Sequence, residues 1–384
     1  MPPPSPWSKR SLAAQALGHV DPLTKAVVPP IHVATTFIRD ADGGYGSGYA
    51  YGRPDNATVR EAEGVIAMLE EASAALLFGS GMAAATAVFG ALDPGDHVVA
   101  PRIMYWALRS WLGTEAARWG LRVEFVDTDD LGVLERAVRP GETKLVWLET
   151  PSNPLWTVTD ISAAAAVAHR AGARLAVDST AASPVHTRPL GLGADLVMHA
   201  ATKILNGHSD VVAGALAVRE PDGLWSRIVA GRKSGGAILG PFEAFLLTRG
   251  MRTLHLRAAA QARGAQELAK RLGGHPHVAH VLYPGLPQHP GHDVAARQME
   301  GGFGSMLSIR VASGERAAVA TAAGVALWKR ATSLGGVESL IEHRASVEGP
   351  GTPCPPDLLR LSTGIEDPDD LFRDLDAALR EAHR

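Results

Sequence analysis

A chain of 384 residues, 46% apolar and 20% charged, can bury a large core without a disulfide or metal staple, which excludes a disordered class. Its 37 basic and 40 acidic residues leave a net charge of −3, and aromatic residues make up only 5%, so neither the basic excess nor the stacking surface of a nucleic-acid binder is there. Cys354 is the only cysteine, which excludes intramolecular disulfides and multi-cysteine zinc sites and fits a reducing compartment, so a cytoplasmic location is expected.

Residues 1–55 read as an irregular arm. The start is proline-rich without an apolar run and does not read as a signal peptide. Pro29-Pro30 and the glycine-rich stretch from Gly43 to Gly48 exclude long regular elements. Residues 72–92 carry no charge and are long enough for a bilayer, but Gly79, Ser80 and Gly81 interrupt them. A buried strand, a glycine turn and a buried helix is the better reading, so no membrane partner is expected. From there to about residue 220, short apolar runs alternate with helical stretches. The predicted strands are Ala75–Phe78, His97–Ala100, Val123–Val126, Lys144–Leu148, Arg174–Val177, Leu196–His199 and Ala213–Val218, with a helix at Ile161–Ala171 among those between them. That alternation predicts an α/β fold around a mostly parallel seven-stranded sheet covered on both faces, with ligands at the carboxyl ends of its strands. Residues 242–272 read as one or two helices, and 273–293 as a Pro/His/Gly loop. A smaller α+β portion follows and closes on a helix at Pro368–Ala382, with Asp367 as its N-cap. The organisation predicted is an arm over 1–55, a large domain over 56–245 and a C-terminal domain over 246–384.

The segment Met198 to His208 carries chemistry. Lys203 follows an apolar strand at its carboxyl end, where partial desolvation lowers a lysine's pKa and lets it form an imine. Asp178 ends another central strand. Either residue alone reads as an ordinary surface lysine or strand-end cap. Together they are what a pyridoxal phosphate site needs: a lysine for the aldehyde and an aspartate for the pyridine nitrogen. Between a predicted strand and an Ala-rich helix, Gly79-Ser80-Gly81-Met82 permits close backbone approach and offers helix N-terminal N–H groups to an anion.

These residues resemble the pyridoxal-phosphate enzymes of cysteine and methionine metabolism, the cystathionine γ-lyase and γ-synthase group. The resemblance runs from about residue 10 to 382. It is carried by Tyr49 to Asn56, Phe78 to Ala83, Glu149 to Pro154, Asp178-Ser179-Thr180, Ala201-Thr202-Lys203, Asn206 to Asp210, Ser333 to Ser339 and Leu359 to Asp367. It implies a fold-type-I architecture like that of aspartate aminotransferase, with pyridoxal 5'-phosphate as cofactor. Lys203 resembles the Schiff-base lysine and proton shuttle, and Asp178 the pyridine-nitrogen partner. Gly81, Met82 and Thr202 would hold the phosphate, joined by Tyr51 and Arg53 reaching in from a neighbouring subunit. Tyr105 would stack on the ring and assist catalysis, and Asn153 would touch its hydroxyl and the substrate. Arg360, with Ser333 beside it, would grip the substrate carboxylate, water or a buffer anion taking that role in the empty enzyme.

The resemblance therefore implies a small amino-acid substrate and a homo-oligomer, dimer or tetramer, with shared sites. The activity implied is cleavage of a C–S or other carbon–heteroatom bond of a sulfur-containing amino acid. The alternatives are γ-replacement on a homoserine ester and, less favoured, an inactive binding protein on the same fold. Departures are Ala200 where a serine is usual, Trp106 after the tyrosine at the substrate end, Thr332 before the Ser-Leu-Gly-Gly run, Ala50 where the position is often acidic, and a different segment after Glu342.

Three other features read as bland. His275, His277, His280, His289 and His292 lie in a Pro/Gly loop and are read as solvated histidines, with no metal expected. Gly231 to Gly236 lacks the spacing of a nucleotide loop. Of Trp106, Trp111 and Trp119, at least two are expected in the core.

Overall fold

The computed structural model describes residues 6–349 and 351–384. Seven strands form the larger sheet: β1 Ala74–Phe78, β2 His97–Pro101, β3 Arg122–Val126, β4 Thr143–Glu149, β5 Arg174–Asp178, β6 Leu196–His199 and β7 Gly214–Val218. Their order is β1-β7-β6-β5-β4-β2-β3, and β7 alone runs against its neighbours. Each predicted strand is present, its ends displaced by at most one residue.

Both faces of this sheet are dry. Along β4, Val146 and Leu148 face one apolar layer while Leu145 and Trp147 face the other, all fully buried. Burying each such aliphatic side chain contributes about 1.5–3 kcal/mol, which is why these strands read as continuous apolar runs. The first layer is closed by helix Ala57–Glu70, whose N-cap Asn56 accepts from Thr58 and Val59 N–H. The second is closed by helix Gly81–Phe89, entered through Ser80, whose hydroxyl accepts from Ala83 N–H. Residues 72–92 are therefore strand, turn and helix. No helix of the described residues is long and apolar enough to cross a membrane.

Helices Pro241–Met251 and Leu254–Leu272 lead to a second, five-stranded sheet. Its strands are β8 Val278–Leu282, β9 Met306–Val311, β10 Lys329–Arg330, β11 Leu340–His343 and β12 Leu358–Ser362, in the order β10-β11-β12-β9-β8. One expectation is corrected here. The stretch 273–293 is not all loop, because β8 lies in it; exposed Ala279 and His280 had diluted its apolar pattern. Strand β12 sits between β11 and β9, and all five of its residues are buried. Helix Pro368–Glu381 closes the chain, with the Asp367 carboxylate accepting from Asp369 N–H.

Among its described residues the arm holds a short α-helix, Lys9–Ala14, capped by Ser8, and a 3-10 turn at Ala16–Gly18. The tryptophan expectation also fails. Trp106 and Trp119 are 41% and 54% exposed, and Trp111 is half-buried, edge-on to Trp119 at 5.4 Å and against Phe89 at 6.0 Å. The helical spacing is real, but it faces the molecular surface.

Candidate active site

The carboxyl ends of β4, β5 and β6 open into a cavity of about 260 Å³ whose opposite wall comes from the second sheet. Lys203 and Thr202 enter it from the turn after β6, Asp178 from the end of β5, and Ser333 and Arg360 from the other side.

Lys203 is mostly buried, and its Nζ donates to Ser333 Oγ at 2.8 Å. Burial, aided by the nearby Arg360 charge, lowers its pKa to about 8. The amine is thus available as a base near neutral pH, which an exposed lysine is not. Ser333 holds a backbone φ of 91°, a left-handed value uncommon for serine and stabilised only by its surroundings. Its carbonyl accepts from Arg360 Nη2 at 2.9 Å.

Asp178 is buried, and its Oδ1 accepts the Thr180 N–H at 3.0 Å and the Thr180 hydroxyl at 2.5 Å. Burial raises its pKa, while those bonds and the charge of His199 oppose the rise. Its other oxygen has no protein donor among the described residues and faces the cavity.

At the start of helix Gly81–Phe89, Ser80 satisfies the N–H groups of Ala83 and Ala84. Those of Gly81 and Met82 have no protein acceptor among the described residues and line the cavity. A Cβ on Gly81 would lie 2.8 Å from Ala200 Cβ, so glycine is required for this approach. Thr202 differs from a free phosphate ligand: its hydroxyl donates to Ala213 C=O at 3.1 Å and accepts Ala213 N–H at 2.9 Å. Two free amides, an uncommitted buried carboxylate oxygen and a desolvated lysine on one cavity fit pyridoxal phosphate, with Ala200 supplying no hydroxyl.

Tyr105 stands at the cavity, 44% exposed, its N–H donating to Glu149 Oε2 at 2.6 Å. Asn153 N–H donates to Glu149 Oε1 at 2.8 Å, and Asn153 Oδ1 accepts from Arg360 Nη1 at 3.2 Å. Glu149 therefore joins the loops carrying Tyr105 and Asn153. It pairs in register with Asp178 across β4 and β5, and burial and that neighbouring carboxylate push its pKa up to about 8. The sequence reading gives it no role; its signal there is a carboxylate ending a strand, as Asp178 does on the neighbouring one.

Arg360 departs from expectation in its partner. Neither water nor a buffer anion is needed, because Glu342, opposite it on β11, accepts from Nη2 at 2.6 Å. Glu342 also accepts from Arg344, which lines the cavity. Arg344 belongs to the departing segment after Glu342, Glu342 itself lies just before it, and the sequence reading singles out neither as a site residue.

Three sequence candidates lie outside this cavity. Tyr51 and Arg53 are exposed on the arm, with the guanidinium carbon 5.7 Å from the tyrosine ring centre. Trp106 lines a neighbouring hollow with Arg109 and Thr352, so it does not shape the substrate end; Thr332 does line the main cavity. Of the histidines of 275–292, His280 is exposed as expected, but the others are engaged by the protein. His275 is buried against Asp376 at 2.8 Å, His277 stacks on His383 at 4.0 Å, and His292 bonds Pro284 C=O. Gly231 to Gly235 close a helix, and Cys354 is a buried thiol pushed up to about 12 by burial.

A family model described as Cys/Met metabolism PLP-dependent enzyme matches residues 10–380. Cystathionine gamma-synthase of Mycobacterium tuberculosis is 44% identical over 365 residues, 94% of this chain and 93% of that protein. Cystathionine gamma-lyase of Dictyostelium discoideum is 41% identical over 367 residues, 94% of each. The crystal structure of cystathionine gamma synthase from Xanthomonas oryzae pv. oryzae in complex with aminoacrylate and cysteine superposes with a TM-score of 0.94 at 38% identity, covering 99% of both chains. That of CalE6, a methionine gamma lyase from Micromonospora echinospora, gives 0.89 at 40% identity over 97% of this chain and 98% of the other.

Proposed function

The chain belongs to the Cys/Met metabolism PLP-dependent enzymes, and from that premise we propose that it cleaves the Cγ–heteroatom bond of a sulfur-containing amino acid, in the manner of a cystathionine γ-lyase. The observation that carries this is a lysine of lowered pKa sharing one cavity with Asp178 and Arg360. Lys203 would hold the cofactor's aldehyde, Asp178 its ring nitrogen, the amides of Gly81 and Met82 its phosphate, Asn153 its ring hydroxyl, and Tyr105 its face. Thr202 would join the phosphate by redirecting its hydroxyl proton away from Ala213 C=O while still accepting from Ala213 N–H. When bound, pyridoxal phosphate supplies the electron sink that lets a proton leave carbon.

The chain's own groups do the rest. Arg360 fixes the α-carboxylate through its planar fork. That grip presents the α-hydrogen to Lys203 Nζ, which takes it as a base and can return it as an acid. Ser333 holds Nζ on the substrate side through their 2.8 Å bond. Asp178 would pair with the ring nitrogen from a buried position, where a carboxylate charge acts most strongly. Access of water or of a thiol to the cavity decides between elimination and replacement.

A second reading is γ-replacement, joining a thiol to an activated homoserine ester. It is favoured by the 44% identity to a cystathionine gamma-synthase. Incubation with cystathionine, methionine, cysteine, and O-acyl-homoserine with and without cysteine separates the two. 2-Oxobutanoate from cystathionine or methionine supports elimination; cystathionine formed only from the ester plus cysteine supports replacement. No product from any of them overturns both.

We further infer a homodimer or larger assembly in which Tyr51 and Arg53 complete a neighbour's phosphate site. The units are the arm 1–55, the cofactor domain 56–245 and the C-terminal domain 246–384. The cytoplasm is where Cys354 would stay a thiol.

A further inference from the structure

Glu342 Oε2 is shared. It accepts from Arg360 Nη2 at 2.6 Å and from Arg344 Nη1 at 2.7 Å. Arg344 is held from its far side, where Nη2 and Nε donate to Glu348 Oε1 at 2.9 and 3.2 Å. The Thr352 hydroxyl in turn donates to Glu348. All four charged side chains are buried.

This arrangement has a consequence for binding. A buried guanidinium without a partner is costly, so Glu342 stabilises Arg360 while no substrate is present. The same bond occupies the part of the fork that an incoming carboxylate needs for a two-point grip. Glu342 must therefore give way, and a buried carboxylate left alone would be equally costly. Arg344 removes that obstacle. It already touches the same oxygen, Glu348 fixes its position, and it lines the substrate cavity.

We propose that Arg344 is a positioning residue that receives Glu342 from Arg360 as the α-carboxylate binds, and thereby sets the affinity of the amino-acid subsite. The inference rests on Arg360 being the carboxylate-binding residue. Lys203 faces the same group of charges: Arg360 and Arg344 lower its pKa while Glu342 raises it. Because Glu342 is transferred and not expelled, the charge facing the base is nearly constant, so the effect belongs in KM and not in kcat.

The test is steady-state kinetics of the holoenzyme with two amino-acid substrates of different side chain. Arg344→Met leaves Glu342 to Arg360 alone and is expected to raise KM about tenfold or more for both substrates, with kcat within about threefold. Adding Glu342→Gln removes the competing charge and is expected to return KM to within about threefold of wild type. A structural defect would not be rescued by a second buried substitution. An unchanged KM in Arg344→Met, or no rescue in the double variant, overturns the proposal. If Arg344→Met does not fold, Glu342→Gln alone carries the test: KM must fall by about twofold or more, and an unchanged or higher KM overturns it. Arg360→Ala separates the two levels. If that variant leaves KM unaltered, the carboxylate assignment itself fails; if it raises KM while Arg344→Met does nothing, only the present inference fails.

Discussion

At the end of the cavity floored by the seven-stranded sheet, the amides of Gly81 and Met82 and one oxygen of Asp178 have no protein partner among the described residues. At the end walled by the five-stranded sheet, Arg360, Glu342, Arg344 and Glu348 are bonded to one another. The first end is a set of open valences fixed in rigid elements, suited to a group that stays. The second satisfies itself and must exchange partners each time a small anion comes and goes. Buried polar groups are costly when unpaired, so a resident cofactor and a transient substrate call for these two different solutions.

The largest effect expected from breaking the cofactor end is at its lysine. Lys203→Ala should lower turnover by about three orders of magnitude or more while circular dichroism shows the fold retained, since base and cofactor anchor are lost together. Next is the substrate end. Arg360→Ala should lower kcat/KM about 30- to several-thousand-fold, by a similar factor for every amino-acid substrate. Arg360→Lys, which keeps the charge but loses the fork, should also weaken binding. A change in side-chain preference with kcat/KM otherwise preserved would count against Arg360.

Thr332 sharpens the contrast, because it lines the cavity without belonging to the ion network. Thr332→Ala should alter the ranking of substrates by about five- to 150-fold, a pocket contact being worth about 1–3 kcal/mol. An equal change for all substrates would place it with Arg360 instead. Subunit mixing tests whether the cofactor end is complete in one chain. Inactive Arg53→Ala and inactive Lys203→Ala, exchanged together, should recover part of the activity, and none after verified exchange argues against shared sites.

The smallest effect is on stability. In the cofactor-free protein, burial lowers the Lys203 pKa from 10.5 to about 8. Between those values the unfolded chain binds more protons than the folded one, so this group makes stability rise with pH there and costs stability below about pH 8. Lys203→Met should therefore be more stable than wild type near pH 7, with the gap closing as pH approaches 10.5. Denaturant melts across that range read the gap, and a constant gap would exclude the burial effect.

The two ends also differ in how far they can be read from sequence. Strands buried on both faces, such as β4 and β5, leave unbroken apolar runs, so the large sheet is legible to within a residue at each strand end. Strand β8 is not, because Ala279 and His280 face solvent. Lys203, Asp178 and Gly81 announce themselves by type and position, a strand-end lysine, a strand-end acid and a glycine before a helix. Arg360 comes from the resemblance. Glu342 and Arg344 remain silent in the sequence, and Glu149 shows only as a carboxylate at a strand end. A charged residue at a strand end means little until the neighbouring strand supplies its partner, and those partners arise from register between strands, as with Glu149 beside Asp178 and Glu342 opposite Arg360.

The measurement that bears most directly on the account is borohydride reduction of the holoenzyme followed by peptide mapping. The absorbance band near ~420 nm expected of a lysine-bound pyridoxal cofactor should disappear, and the pyridoxyl group should be found on Lys203 alone. A band that survives reduction, or a label on another lysine, would contradict the assignment of this cavity as the active site.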